Sequence, residues 1–358
     1  TLVGIDFKKT LFFSYHQFFS SFSLHIKTMQ NLFRRLFLLG SLILLSDGCQ
    51  STESSVKYVF KASMLVNENH TWYKSFVYFG TLLHERSDGQ IKLEVYPSEQ
   101  LAKEVEAIRL IQAGVIDMTI SAATLANWEE ILTFSDMPFL LRDAQAMKKL
   151  IESPIGEEIE QVMIQKMGLR PVGYFQRGER HLTSNRPIKH PDDLKGLIIR
   201  VPNAPSYVTA WQSMGAKPTP MAFSEVFQSL KTGVVDGAEN NWPSYESTGH
   251  FEVAKYYSLS QHLIIPECVC INDKVYNNLS AKNKKAVKDA ARESAELQRA
   301  LWEKRAISSR DKVMKAGVKF NEIPNKQAFM DAMKPVHTKY LSANPDLVPL
   351  VNLIKNTK

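Results

Sequence analysis

Residues 58–97 read YVFKASMLVNENHTWYKSFVYFGTLLHERSDGQIKLEVYP. Within them, Tyr58–Met64 is a short β-like run, and Trp72–Arg86 carries apolar residues at helical spacing before stopping at Asp88-Gly89. Ile91–Tyr96 then alternates Ile, Leu and Val with Lys and Glu and is closed by Pro97. Glu104–Ala113 predicts a helix with Gly114 as its stop, and Val115–Ile120 predicts a strand. Strands alternating with helices imply a mostly parallel sheet with helices on its faces.

The same rhythm recurs further along. Asp143–Glu152 predicts a helix with Asp143 as N-cap, Arg170–Phe175 a strand, and Leu197–Val201 a strand after the Pro191–Gly196 turn. Tyr207–Met214 predicts a helix ending at Gly215, and Phe223–Lys231 another ending at Gly233. These spans suffice for a second α/β lobe. Beyond Ser280, itself a good N-cap, no Pro or Gly occurs until Gly317, while Ala290, Ala291, Ala295, Leu297, Leu301 and Val313 mark an apolar side. That pattern predicts one helix of unusual length, or two with a bend, able to run across both lobes as a common spine.

A chain of 358 residues with 44% hydrophobic and 23% charged composition is globular and long enough for two domains. Its +7 formal charge is concentrated at the start: residues 1–49 carry five Lys/Arg and two Asp/Glu, leaving 39 against 35 for the rest. No run of five Lys/Arg follows residue 50, so a solvated surface is expected and no nucleic-acid partner.

From Met29, the chain shows Arg34 and Arg35, the uncharged run Leu36–Leu45, and the small residues Ser46 and Gly48 before Cys49. This is the layout of a secretory signal peptide, with an apolar stretch too short to anchor a helix across a bilayer. Residues 29–49 are therefore expected to direct export. Residues 1–28 lie upstream of this layout and read as an extension that is not native; the competing reading is a Phe-rich membrane-associated segment, from Phe12, Phe13, Phe18, Phe19 and Phe22. Cys49 suits either lipid attachment or ordinary cleavage before it, Ser46 and Asp47 weakening the lipid reading. Cys268 and Cys270 lie two apart in the apolar run Leu263–Ile271, so in a strand they share a face and do not readily close a disulfide. Buried free thiols are expected, and no metal, because no Cys or His stands at zinc-site spacing.

No phosphate-binding Gly-rich loop, HExxH or GxSxG occurs, so no cofactor is expected and a binding protein is favoured over an enzyme. The enzyme alternative, an exported glycoside hydrolase, would use paired carboxylates such as Glu239 and Glu267.

Several motifs in order carry a family resemblance. They are Arg180-His-Leu-Thr-Ser-Asn-Arg-Pro-Ile188, Pro191-Asp-Asp-Leu-Lys-Gly-Leu-Ile-Ile-Arg-Val-Pro-Asn203, Met214-Gly-Ala-Lys-Pro-Thr-Pro-Met-Ala-Phe-Ser-Glu-Val226 and Gly233-Val-Val-Asp-Gly-Ala-Glu-Asn240. Ser87-Asp-Gly-Gln-Ile91, Tyr96-Pro-Ser-Glu-Gln-Leu101, Gly114-Val-Ile-Asp-Met118 and Asp136-Met-Pro-Phe-Leu-Leu-Arg-Asp143 extend the match across most of the chain. On these motifs, the chain resembles the DctP family, the extracytoplasmic solute-binding subunits of TRAP transporters. The resemblance implies a periplasmic-binding-protein-like fold with a ligand cleft between two lobes. Lobe 1 is expected at about 57–178 plus 262–285, lobe 2 at about 179–261 plus 318–345, and the long helix at about 281–316 across both. It also implies a periplasmic location and partners in the small and large membrane subunits of the transporter.

The family's central ligand contact is an arginine that corresponds here to Arg200, whose planar fork can give two parallel hydrogen bonds to a carboxylate. Without the resemblance, Arg200 reads as a surface residue closing a strand. Arg180 matches a second cleft arginine, with a structural ion pair as the other reading; its polar surroundings suggest that water could replace it. Asn240 ends the matching "DGxEN" turn, Glu239 precedes it, and Asn203 and Phe223 match further cleft positions.

Sialic-acid binders of the family carry a Glu where Ser121-Ala122-Ala123 stands, which disfavours that ligand. Asp236–His250 and Val253–Ser258 are instead similar to the subgroup that binds hexuronates such as glucuronate or galacturonate. A C4-dicarboxylate or diketogulonate is the alternative. A hexuronate has one carboxylate and several hydroxyls, so it needs acceptors too. Glu267, interrupting an apolar strand, is one candidate or else a strand end in solvent; Glu104 faces the cleft or serves its helix N-terminus. His70 lies in the first strand-to-helix loop, where α/β sheets bind ligands, or is structural. Trp242 offers a sugar a stacking face or packs beneath its turn.

Overall fold

The computed structural model describes residues 56–140, 143–349 and 351–352. The expected signal peptide, upstream extension and Cys49 lie outside these residues, as does the Leu141-Arg142 pair of one family motif. Among the described residues, the strands are β1 (Tyr58–Ser63), β2 (Ile91–Tyr96), β3 (Met118–Ser121), β4 (Leu169–Phe175), β5 (Arg180–Ser184), β6 (Ile198–Val201), β7 (Lys217–Pro220), β8 (Gly237–Asn240), β9 (Tyr256–Leu263), β10 (Glu267–Asn272) and β11 (Lys319–Glu322). They form a five-stranded sheet ordered β2-β1-β3-β10-β4 and a six-stranded sheet ordered β11-β9-β5-β8-β6-β7.

The opening stretch folds as its pattern dictates. Phe60 and Ala62 are buried while Val59 and Lys61 face out, and β1 pairs in parallel with β2 and with β3. Helix α1 (Thr71–Arg86) crosses between β1 and β2 and buries Trp72, Phe76, Phe79, Leu82 and Leu83. These side chains build one core with Ile91, Met118 and Ile120 of the first sheet. Helix α2 (Glu104–Gln112) leads to β3, which starts three residues later than its sequence suggests. Gly114 has a φ of +73°, Val115 is exposed, and the Asp117 carboxylate accepts from Lys61 N at 2.8 Å, so the chain is still turning there. A second core, with Ile199, Val201, Tyr207, Trp211, Phe329 and Met333, underlies the six-stranded sheet.

The apolar run Leu263–Ile271 divides at Pro266. β9 ends in the second sheet and β10 begins antiparallel between β3 and β4 in the first. Cys268 and Cys270 are buried free thiols, with a bulge at Val269/Cys270 and their Sγ atoms 3.0 Å apart.

The chain passes between the sheets at Gln176–Glu179, at Ile264–Pro266, and along α4 (Ala281–Lys315), which the chain reaches after α3 (Trp242–Ser247). Helix α4 is unbroken. Its small residues Ala286, Ala290, Ala291 and Ala295 join the first core, and Ala291 Cβ lies 3.4 Å from where Gly173 would carry a Cβ. Further along, Val313 packs with Tyr245, Tyr257 and Val318 of the second sheet's side. At the first crossing, Gln176 N donates to Gln298 Oε1 at 2.7 Å and Gln298 Nε2 donates back to Gln176 O at 2.8 Å. Gly178 follows with φ +69°, and a Cβ there would stand 2.7 Å from Trp302 Nε1, so only glycine lets the crossing lie against the helix.

Candidate functional site

The facing ends of the two sheets carry the charged residues. Arg180 opens β5, Glu239 and Asn240 end β8, and Arg200 lies next to the end of β6. Glu267 opens β10 in the opposite sheet, where Cys268 pairs with Ser121 at the end of β3.

Arg180 is fully buried. Its Nε and Nη2 donate to the two carboxylate oxygens of Glu239, Nη2 also to the Glu239 carbonyl at 3.0 Å, and Nη1 to Asn240 Oδ1 at 3.1 Å. Burial works against the guanidinium charge, but the field and hydrogen bonds of Glu239, with the fields of Tyr207 and Glu267, together outweigh it and raise its pKa. The same burial would raise Glu239, yet Arg180 and His262 together hold it down to about 2. His262, itself lowered by burial, places Nε2 3.3 Å from Glu239 Oε2 and Nδ1 2.8 Å from Ser260 Oγ. The neutral tautomer that satisfies both donates from Nε2. Arg180 is thus fixed by an ion pair, and the expectation that water could replace it is corrected. Glu239 is occupied in holding Arg180, whose Nη1 in turn holds Asn240.

Arg200 differs. It is 4% exposed, and its Nε and Nη2 both donate to the Met221 carbonyl, at 3.1 and 2.8 Å. Among the described residues no carboxylate contacts it; Glu239 and Glu104 act only through their fields, and burial lowers its pKa to about 10. The reading of Arg200 as a surface residue is therefore corrected. Phe223 lies against this group, its ring centroid 5.8 Å from Arg200 Cζ, and also packs on the first sheet's core.

On the other side, Glu104 Oε1 accepts from Ser121 Oγ at 2.8 Å and Thr124 Oγ1 at 2.9 Å. Glu267 is buried rather than solvated at a strand end, and its partner is Arg177 Nη1 from the first crossing. Burial pushes the Glu267 carboxyl up to about 7, with Arg177 opposing and Glu104 reinforcing the shift. Arg177 escaped sequence reasoning because nothing local in Gln176–Glu179 distinguishes it from Arg180.

Asn203 is brought to the same seam, where Asn127 Nδ2 donates to its carbonyl at 2.6 Å. Lys103 pairs with Glu225, Ser224 N donates to Glu99 Oε2 at 3.2 Å, and Asn67 Nδ2 donates to Ser247 O at 2.9 Å. These contacts link the two sheets' sides. His70 caps α1: Nδ1 accepts from Trp72 N at 3.2 Å, Nε2 lies 3.4 Å from Ser244 Oγ, and burial lowers its pKa to about 3. Both ring nitrogens are thus used within the protein. Trp242 stacks on Tyr257 at 3.6 Å, which assigns it to packing.

The arrangement holds three guanidinium groups and three carboxylates, of which Arg200 alone lacks a carboxylate in contact among the described residues. It can grip an anion with Arg200 and receive hydroxyl groups at Asn240, Glu104 and Glu267. Among the described residues, no cluster of three or more His, Cys, Asp or Glu could hold a metal ion, and no helix is long and apolar enough to cross a membrane.

Known proteins resemble this chain over most of its length. A solute-binding protein of Chromohalobacter salexigens is 37% identical over 287 residues, 80% of this chain and 85% of the relative. A crystal structure of a TRAP periplasmic solute-binding protein from Roseobacter denitrificans, with bound β-D-glucuronate, is 40% identical and superposes with a TM-score of 0.81 over 84% of this chain and 100% of that one. Its counterpart from a Sulfitobacter species, with bound β-D-galacturonate, is 39% identical with a TM-score of 0.80 over the same shares. The profile of DctP, bacterial extracellular solute-binding protein family 7, matches residues 62–344, and the chain belongs to that family.

Proposed function

We propose that this protein captures a hexuronate such as glucuronate or galacturonate in the cleft and delivers it unchanged to the membrane subunits of a TRAP transporter. The observation that carries the reading is Arg200, a buried guanidinium whose one edge is spent on the Met221 carbonyl while, among the described residues, no carboxylate meets the rest. A buried cation left in that state calls for an anion, and a sugar carboxylate supplies one with matching geometry. The hexuronates bound by the two similar crystal structures support the choice of ligand. The lobes we assign are about 57–178 plus 262–285 and about 179–261 plus 318–345, with 281–316 as the spine. Closing them excludes water and strengthens the Arg–carboxylate pair.

The protein performs no chemistry on the ligand. Hydrolysis by Glu239 and Glu267 would need a free carboxylate, and both oxygens of Glu239 accept from Arg180. Export by residues 29–49, with cleavage or lipid attachment at Cys49, places the protein in the periplasm. Calorimetric titration with glucuronate, galacturonate, succinate, N-acetylneuraminate and glucose tests the reading. Binding of the two uronates, with both recovered unchanged and glucose inert, is the expected result. Binding of succinate or N-acetylneuraminate alone refutes it.

A further inference from the structure

We propose that Arg177 is a positioning residue of the ligand site: its ion pair with Glu267 ties the two strand crossings between the sheets together and sets the Glu267 carboxylate as an acceptor for ligand hydroxyls. The inference rests on the sugar-acid reading of the cleft and adds to it a residue outside the family motifs.

The placement is specific. Arg177 lies in the Gln176–Glu179 crossing, and Glu267 is the first residue after the Ile264–Pro266 crossing, so one ion pair links the two segments that must change backbone angles if the sheets open. The surroundings over-determine Arg177. Its guanidinium carbon lies 5.7 Å from the Trp72 ring centroid, Trp72 stacks on Trp302 of α4 at 6.0 Å, and Trp72 Nε1 donates to Gln176 O at 3.0 Å. Arg177 is 8% exposed, yet its Nε makes no hydrogen bond among the described residues.

The charged groups facing Glu267 are Arg177 on the crossing, Glu104 on α2 and Arg180 on β5, with the neutral Cys268 thiol beside it on β10; from α4 the neutral Gln298 and Trp302 meet the first crossing. Burial and Glu104 favour the protonated carboxyl, and Arg177 is the first opposing influence. Removing Arg177 therefore hands the proton to Glu267 across the neutral range, and a protonated carboxyl is a poorer acceptor.

Infrared difference spectroscopy of the ligand-free protein, with Glu267→Gln assigning the band, reads that proton directly. The parent's band titrates near neutrality, Arg177→Gln moves the midpoint to higher pH, and Arg177→Lys restores it in large part. In calorimetry at pH 7, Arg177→Gln weakens glucuronate by about tenfold or more, as loss of a charge-assisted contact does, while the double variant binds no worse than Glu267→Gln alone. An unmoved infrared midpoint with parental affinity overturns the proposal, as does full additivity of the two substitutions. Should Arg177→Gln fail to fold, Arg177→Lys and Glu267→Gln carry the same comparison. A parent that binds no hexuronate overturns the sugar-acid reading instead, and the ligand-free titration tells the two failures apart.

Discussion

Replacing Arg200 by Lys separates charge from geometry at the proposed anion anchor. In the parent, Nε and Nη2 rest on the Met221 carbonyl at 3.1 and 2.8 Å, which leaves the opposite edge of the same rigid plane to meet a carboxylate. A lysine ammonium keeps the charge but must serve both acceptors from one nitrogen on a flexible stem. It either retains Met221 O and meets the carboxylate through one bond, or abandons the carbonyl in a site only 4% exposed. Each outcome forfeits one hydrogen bond to a charged group, worth about 1.5–3 kcal/mol, so the dissociation constant for a hexuronate should rise by roughly 10- to 150-fold. Folding should suffer less, because among the described residues Arg200 has no ion pair to break. Arg180→Lys is the contrasting variant: it dismantles the buried fork on Glu239 and loosens Asn240, so its main cost falls on folding, on the order of 3 kcal/mol. Isothermal titration calorimetry with urea unfolding of both variants checks the pair. If Arg200→Lys binds glucuronate like the parent while remaining folded, the carboxylate anchor lies elsewhere and the argument from the open guanidinium edge fails.

Two further outcomes follow from buried features. Glu239 is held down to about 2 in the fold, below its ordinary range, so it contributes stability that is present at neutral pH and is lost as pH falls from the ordinary carboxylate range through about 2; the loss is on the order of 3 kcal/mol, and unfolding of Glu239→Gln should show a shallower acid limb. Gly178→Ala forces a Cβ to within 2.7 Å of Trp302 Nε1 at a φ of +69°, and should cost about 3 kcal/mol by urea unfolding; a cost under about 0.5 kcal/mol would mean that the first crossing does not lie tightly on α4.

The alternation of β1, α1 and β2 was legible because each element states its own period and its own stop: Lys and Glu on the outer face of β2, apolar residues at helical spacing in α1, and the Asp88-Gly89 break after it. The length of α4 was legible for the same local reason, 35 residues without Gly or Pro. What the pattern could not show is partnership across the sequence. Arg180 and Glu239 are 59 residues apart and meet only because β5 and β8 run antiparallel in neighbouring positions, so an arginine in a polar stretch gave no sign of being wholly buried. Glu267 was suspect as a lone carboxylate in an apolar strand, and the structure adds the reason it is tolerated: a guanidinium delivered from another crossing 90 residues earlier in the chain. His70 shows the converse error. Its position in a strand-to-helix loop suits ligand contact, but a histidine there can also cap the helix with Nδ1, and that local hydrogen bond to Trp72 N fixes the ring before any ligand arrives. Family motifs pointed to Arg200, and the structure distinguishes it from Arg180 and Arg177: those two guanidinium groups have carboxylate partners, whereas among the described residues Arg200 has none in contact, which is why we propose it as the anion anchor.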